Sequence, residues 1–452
     1  MRRHLLAGTA GLALCAGSAS AQDLIFPVGE GEFDWASYEA FASDHDLDGQ
    51  TVTVAGPWIG PDRDLVVRMF DYFEAATGAT VEYSGSDSFE AETRRAARTG
   101  GLPNVSVFPQ PGLLADMAAA GNIAPLGEDT AEWYRENYAA GESWVSLATS
   151  YNEQAGEEAI NGLFYKVDVK SLVWYSPPIF EELGYEIPET MEELIALSDQ
   201  AVEDGFTPWC IGIGSEGATG WPATDWIEDI MLRTQPLETY DAWVANEIPF
   251  TDPAVVNAIE TFGSFARNED YTGMTPAEIV DNDFREAPDG LFTFPPECLM
   301  HRQASFIPTF FPEGAEYDFF YFPPYESEDL GNPVLGAGTV WGITEDSPDE
   351  DSEAARVLIE FLKTPIAHEV WMAQSGFLTP HEGVNTDLYA TETLEGMGEI
   401  LLNATSFRFD ASDLMPSEIG TSAFWTSMVE YMRTGDAEAE AASVQDAWDA
   451  IK

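Results

Sequence analysis

Thr51-Val-Thr-Val-Ala55 is a short β-rich run, Leu65, Val66, Met69, Phe70, Phe73 and Ala76 recur at helical spacing until Gly78, and Thr80-Val-Glu-Tyr83 returns to the strand pattern. The alternation continues. A helix is predicted from about Phe89 to Arg98, with Glu90 and Arg94 placed as an i,i+4 pair. Asn104-Val-Ser-Val-Phe108 reads as the next strand, and Leu113, Leu114, Met117 and Ala118 begin another helix. Strands alternating with helices in this way imply a parallel sheet covered by helices. A second set starts at Leu172-Val-Trp-Tyr175. Thr190-Met-Glu-Glu193 is a capping box in which Glu193 is expected to reach back to the Thr190 amide. Pro208-Trp-Cys-Ile-Gly-Ile213 is read as the strand after it, Phe292 to Tyr325 is dense in Phe, Tyr and Pro, and helices return after Glu353 and near Thr426. No repeat with a period of about 20–50 residues is visible, which argues against solenoids and propellers. The predicted fold class is α/β, in two lobes, each a mainly parallel sheet flanked by helices.

Composition narrows the function. At roughly 100–200 residues per domain, the 452 residues suggest two or three domains. With 45% hydrophobic and 22% charged residues the chain can fill a core, so disorder as its main state is excluded. Eighty Asp and Glu against 19 Lys and Arg give a formal net charge of −61. Phosphate backbones and anionic membranes repel such a chain, so no nucleic-acid partner is expected. The acids are spread along the sequence as a solvated surface whose self-repulsion salt relieves. That points to a salt-adapted organism and a protein exposed to the external medium.

The first residues fit export. Arg2 and Arg3 precede the short apolar run Leu5 to Leu14, and Ala19-Ser20-Ala21 suits a cleavage site. Residues 1–21 are therefore expected to be a signal peptide, and no later run is long enough for stable membrane insertion. Cys15 leaves with it. Cys210 and Cys298 remain, and in an oxidising compartment they either form one bridge or stay as two buried thiols. Metal binding by the pair lacks any supporting Cys or His spacing, and no metal or cofactor is expected.

Several enzyme motifs are missing: there is no Gly-Lys-Ser/Thr, no His-Glu-x-x-His and no Gly-x-Ser-x-Gly. Gly212-Ile-Gly-Ser-Glu-Gly217 matches a dinucleotide fingerprint, but Gly220-Trp-Pro222 follows where a helix should open, so a flexible glycine loop bordering a cleft is the better reading. Paired carboxylates for glycoside hydrolysis arise by chance among 80 acids. Aromatics are more telling. Trp58, Trp221, Trp226 and Trp425 sit beside glycine, proline or polar residues, as rings that stack on sugar C–H faces would, although each also suits a core or rim. Cations are scarce, so Lys166 beside Asp168, Arg302 beside Gln303, and Arg408 near Asp410 and Asp413 stand out as structural ion pairs or ligand contacts.

Four stretches carry a resemblance: Tyr165-Lys-Val-Asp-Val-Lys-Ser-Leu-Val-Trp-Tyr175, Gly217-Ala-Thr-Gly-Trp-Pro-Ala-Thr-Asp-Trp226, Gly331-Asn-Pro-Val-Leu-Gly-Ala-Gly338 and Phe407-Arg-Phe-Asp-Ala-Ser-Asp-Leu-Met-Pro416. From about Phe33 to Lys452 the chain resembles the maltose-binding-like periplasmic solute-binding proteins of ABC importers, above all their α-glucoside-binding members. The resemblance implies the type II binding-protein fold, with lobe 1 from 22–167 and 336–385, lobe 2 from 168–335 and 386–452, and crossings near Asp168, Gly336 to Gly338 and Thr386. It implies a monomer in the periplasm that closes on a sugar by hinge motion and presents it to a membrane permease. Trp58, Trp221 and Trp425 would stack on the sugar. Asp62, Gln110, Lys166, Asp168, Glu216, Asp225, Arg302, Arg408 and Asp413 would contact hydroxyls. Ile59 and Gly60 stand where some relatives carry a more polar turn. The competing reading is a secreted glycoside hydrolase acting on α-glucosides with the same aromatics and acids.

Overall fold

The computed structural model describes residues 24–86, 88–326, 329–344 and 349–451, so the expected signal peptide at 1–21 lies outside the described residues. Helix α1 (Trp35–Asp44) leads into strand β1 (Thr51–Gly56), helix α2 (Gly60–Thr77), strand β2 (Thr80–Gly85), helix α3 (Phe89–Thr99), strand β3 (Val105–Phe108) and helix α4 (Pro111–Ala119). The predicted alternation is present. α2 ends at Gly78, whose left-handed backbone (φ 78°) lets its amide reach the Glu74 carbonyl.

β1 pairs parallel with both β2 and β3. The chain then adds β4 (Ile123–Ala124), the hairpin β5 (Thr149–Asn152) and β6 (Glu157–Ile160), β7 (Leu163–Val169) and β8 (Leu172–Tyr175). After a long helical stretch come β9 (Met300–Arg302), β10 (Asp318–Tyr321), β11 (Pro333–Thr344) and β12 (Ser406–Phe409). Twelve-residue β11 is the seam of the large sheet. It runs antiparallel to β3, β4 and β7 and parallel to β12, giving the path β12-β11-β3-β1-β2. In the pairing of β7 with β11, Val169, Asp168 and Val167 lie opposite Gly336, Ala337 and Gly338. Two of the expected crossings therefore lie side by side. Gly336 is required there, because a Cβ would overlap the Asp168 carbonyl and the Phe407 ring.

Two hydrophobic cores follow. One gathers α1 to α4, the large sheet and the helices of 353–372; the other gathers the helices of 177–280 and 411–448 around the small sheet β10-β8-β9. That small sheet is antiparallel throughout, where a mainly parallel one was expected. Pro208–Ile213 makes no strand, only an isolated bridge from Trp209 to Met300. Tyr389, Met397, Leu401, Phe407 and Phe409 belong to the first core, and Ala411, Met415 and the buried apolar residues after them to the second, so core membership changes near 410. Cys210 and Cys298 are joined as a disulfide, with Cα atoms 5.4 Å apart and 88 residues apart in sequence. No helix among the described residues is long and apolar enough to cross a membrane.

Candidate functional site

Where β7 leaves the first core, alternation along the strand puts Lys166 and Asp168 on the same face. Lys166 Nζ lies 3.3 Å from Asp168 Oδ1, and the Ser305 hydroxyl donates to the same oxygen at 3.2 Å. Ser305 is locked in turn, its amide donating to the Val169 carbonyl at 2.8 Å. This pair borders a cavity of about 320 Å³. Trp58, from the β1–α2 turn, and Asp62, in the first turn of α2, form one wall; Phe306, Thr309 and Phe310 form another; Trp371 and Leu378 also line the cavity. Trp58 packs edge-on against Trp371 at 5.1 Å, which fixes an aromatic floor. The Ile59–Gly60 turn thus delivers two of its neighbours to the cavity.

Trp221 stands just beyond this wall. It opens the helix Trp221–Thr234, and its ring centroid lies 4.8 Å from Phe284 and 6.2 Å from Phe306. Gly220 (φ 115°) caps that helix where a side chain would overlap the Trp425 backbone, so the starts of these two aromatic segments touch. Trp425 is half-buried, with its indole Nε1 unpartnered. The Lys170 ammonium lies 5.2 Å from the Trp221 ring.

Behind Trp221 is a buried charge network. Lys170 bonds Asp225 at 3.1 Å and also Asp410; Arg302 bonds Asp229 at 2.9 Å; Arg233 forms an ion pair with Asp229 at 3.0 Å. Asp225 and Arg302, expected to contact sugar, are instead buried in this network, because charges removed from water persist only when paired. Asp225, Glu228, Asp229 and Asp410 face three cations, Lys170, Arg233 and Arg302. Burial, followed by the Asp225 charge, pushes the Glu228 carboxyl up to about 8, so the excess negative charge is relieved by a proton. Burial also lifts Asp413 to about 6. Asp225, Glu228 and Asp410 offer oxygens within 4.8 Å of one another and are the described residues that could share a cation, but the Lys170 ammonium already bonds two of them.

Other expected contacts lie apart. Arg408 is gripped at both ends by Asp241 (2.6 and 2.8 Å), not by Asp410 or Asp413, and lines a separate cavity of about 360 Å³ with Ser143 and Leu414. Glu216 borders an open cleft with Thr426 and Arg433. Gln110 precedes α4 and is half-buried. The Gly212–Gly217 loop is packed at its start, where a Cβ on Gly212 or Gly214 would strike the Asn282 carbonyl, and is exposed at Glu216 and Gly217, where it borders that same cleft. Sequence reading missed Ser305, Phe306, Phe310 and Trp371. The aromatic density of 292–325 was the available signal for the two Phe; Trp371 was hidden inside an apolar helix.

Residues 61–369 match the family described as bacterial extracellular solute-binding protein. The chain belongs to that family. Over the whole of both chains it is 57% identical to the alpha-glucosides-binding periplasmic protein AglE of Rhizobium meliloti. It is 40% identical to the osmoprotective compounds-binding protein GgtB of Synechocystis, covering 89% of this chain and 93% of that one. Among solved structures, the bacterial solute receptor AcbH superposes with a TM-score of 0.74 at 15% identity, over 91% of this chain and 99% of the other. Maltose-bound MalE3 of T. maritima superposes at 0.63 and 15% identity, over 89% and 100%. The fold is thus that of the two-lobed binding proteins, and the family binds solutes instead of transforming them.

Proposed function

We propose that this protein binds an α-glucoside of about disaccharide size in the periplasm and, as a monomer, delivers it to the permease of an ABC importer. The reading rests on the 320 Å³ cavity, in which an aromatic floor meets the Lys166–Asp168–Ser305 cluster. Sugars present apolar C–H faces and hydroxyl rims, and this wall offers a partner for each. Its size sits at the lower end of the roughly 300–1,000 Å³ usual for ligand sites, which favours a short ligand. The 57% likeness to a protein named for α-glucosides supports the class. Trp58, Asp62, Lys166 and Asp168 hold the sugar, with Trp221, Trp425, Gln110 and Asp413 along the continuing gap. Closure of one core on the other buries the ligand, and ligand favours closure only through its tighter hold on that state.

Calorimetric titration with maltose, sucrose and trehalose tests this. At least one should bind and be recovered unchanged, and Trp58→Ala should weaken it about tenfold or more with the fold intact. Absence of binding by all three, or undiminished affinity in Trp58→Ala, rejects the assignment.

A further inference from the structure

In so acidic a protein a cation almost always finds an oxygen. Among the described residues, Lys and Arg side chains pair with carboxylates or, for Arg68, Arg267 and Arg356, with amide or backbone oxygens. Three have no such partner: Arg94, Arg95 and Arg98, all on α3 and all exposed. The expected Glu90–Arg94 pair is not formed; Glu90 instead adds a small push to the burial-raised Asp413 carboxyl.

The helix buries Phe89 and Thr93 and turns the three arginines outward on one flank. The negative end of the helix dipole favours a cation in the last turn, which accounts for Arg98. It does not account for three guanidinium groups side by side with no carboxylate drawn to them, on a chain of net charge −61.

We infer that Arg94, Arg95 and Arg98 form a docking patch for a carboxylate-bearing segment of the importer permease. The inference rests on the proposed transport role. A guanidinium fork takes a carboxylate in two parallel hydrogen bonds, so Arg suits this task better than Lys. An acidic protein approaching another anionic surface is repelled at long range, and a local patch of opposite sign fixes where and in which orientation it docks. The same net charge disfavours an anionic lipid surface as the partner.

The test compares wild type with R94Q/R95Q/R98Q and with a control lacking the paired, exposed Arg135 and Arg433. Each is assayed for sugar affinity, for melting temperature, and for stimulation of ATP hydrolysis by the importer in proteoliposomes at low and high NaCl. The triple variant should keep its sugar affinity and need about tenfold or more protein for half-maximal stimulation at low salt, a gap that narrows at high salt. The control should match wild type, and a triple Arg→Lys variant should recover part of the loss. Unchanged half-saturation, or an equal loss in the control, overturns the inference. So does wild-type binding to protein-free anionic phospholipid vesicles that the triple variant loses, since the patch would then belong to the lipid. Should the triple variant melt lower, Arg95→Glu alone decides by the same readouts. Failure of wild type to bind sugar rejects the transport role itself and is read separately by calorimetry.

Discussion

Glu228 shows how one residue reports the charge state of a whole network. Its carboxyl, raised to about 8 against an ordinary 4.5, keeps a proton in the folded protein that the unfolded chain has already released. Between those values the native state binds more protons, so this group's contribution is full at the acidic end and declines as pH rises from about 4.5 to 8. Denaturant titrations at pH 5 and pH 8 should show Glu228→Gln losing less stability over that interval than wild type, by on the order of 1 kcal/mol or more; equal losses would assign the proton elsewhere. His301 works in the opposite sense. Burial lowers it to about 4, so its contribution is lost as pH falls from about 6.5 to 4. Gly336 is the other informative residue. Gly336→Ala should cost roughly 1–3 kcal/mol by overpacking against Asp168 and Phe407, and because Asp168 lines the cavity it should also weaken sugar binding. A melt and a titration on the same sample check both.

At the scale of elements, the helix Trp221–Thr234 carries the most information. Pro222 to Arg233 are buried all round, and four ionisable side chains among them supply most of the charge network, while Trp221 at its start stands beside the cavity wall. The capping box ahead of the helix Met191–Glu203 forms in part: Thr190 accepts from the Glu193 amide at 3.2 Å, while Glu193 bonds the Glu189 amide, one residue earlier than expected. The Cys210–Cys298 bridge is packed in the first core and closes a long loop whose helices belong to the second. Its removal by Cys210→Ser with Cys298→Ser should cost about 2–5 kcal/mol, read as a lower unfolding midpoint in urea. The midpoint of the wild-type protein should fall in the same way when reductant is added, and an unmoved midpoint would mean that the bridge adds nothing.

For the whole molecule, charge governs stability. A net −61 on a folded surface repels itself, and counter-ions shorten that repulsion to about 3 Å at 1 M salt. Raising NaCl from low to molar concentration should therefore raise the melting temperature, and a flat or falling trend would count against a salt-adapted surface. Much of the first core was legible because β1 to β3 and α2 to α4 each carry their own periodicity, a property of neighbours in sequence. The antiparallel course of β11 was not legible, since a strand buried nearly throughout is apolar nearly throughout and shows no preferred partner. Lys166 and Asp168 could be found, because they lie two apart on one strand; Arg408 could be noticed, but not that Asp241 would hold it.

Local pattern thus determined β1 to β3, α2 to α4 and β8, that the surface is acidic, and that scarce cations and oddly placed tryptophans matter. Only the folded chain decided which of those charges meet water and which are buried. Pairing over long sequence distances, such as Lys170 with Asp410 or Ser305 with Asp168, depends on where the cores come together, and no neighbour in sequence records it.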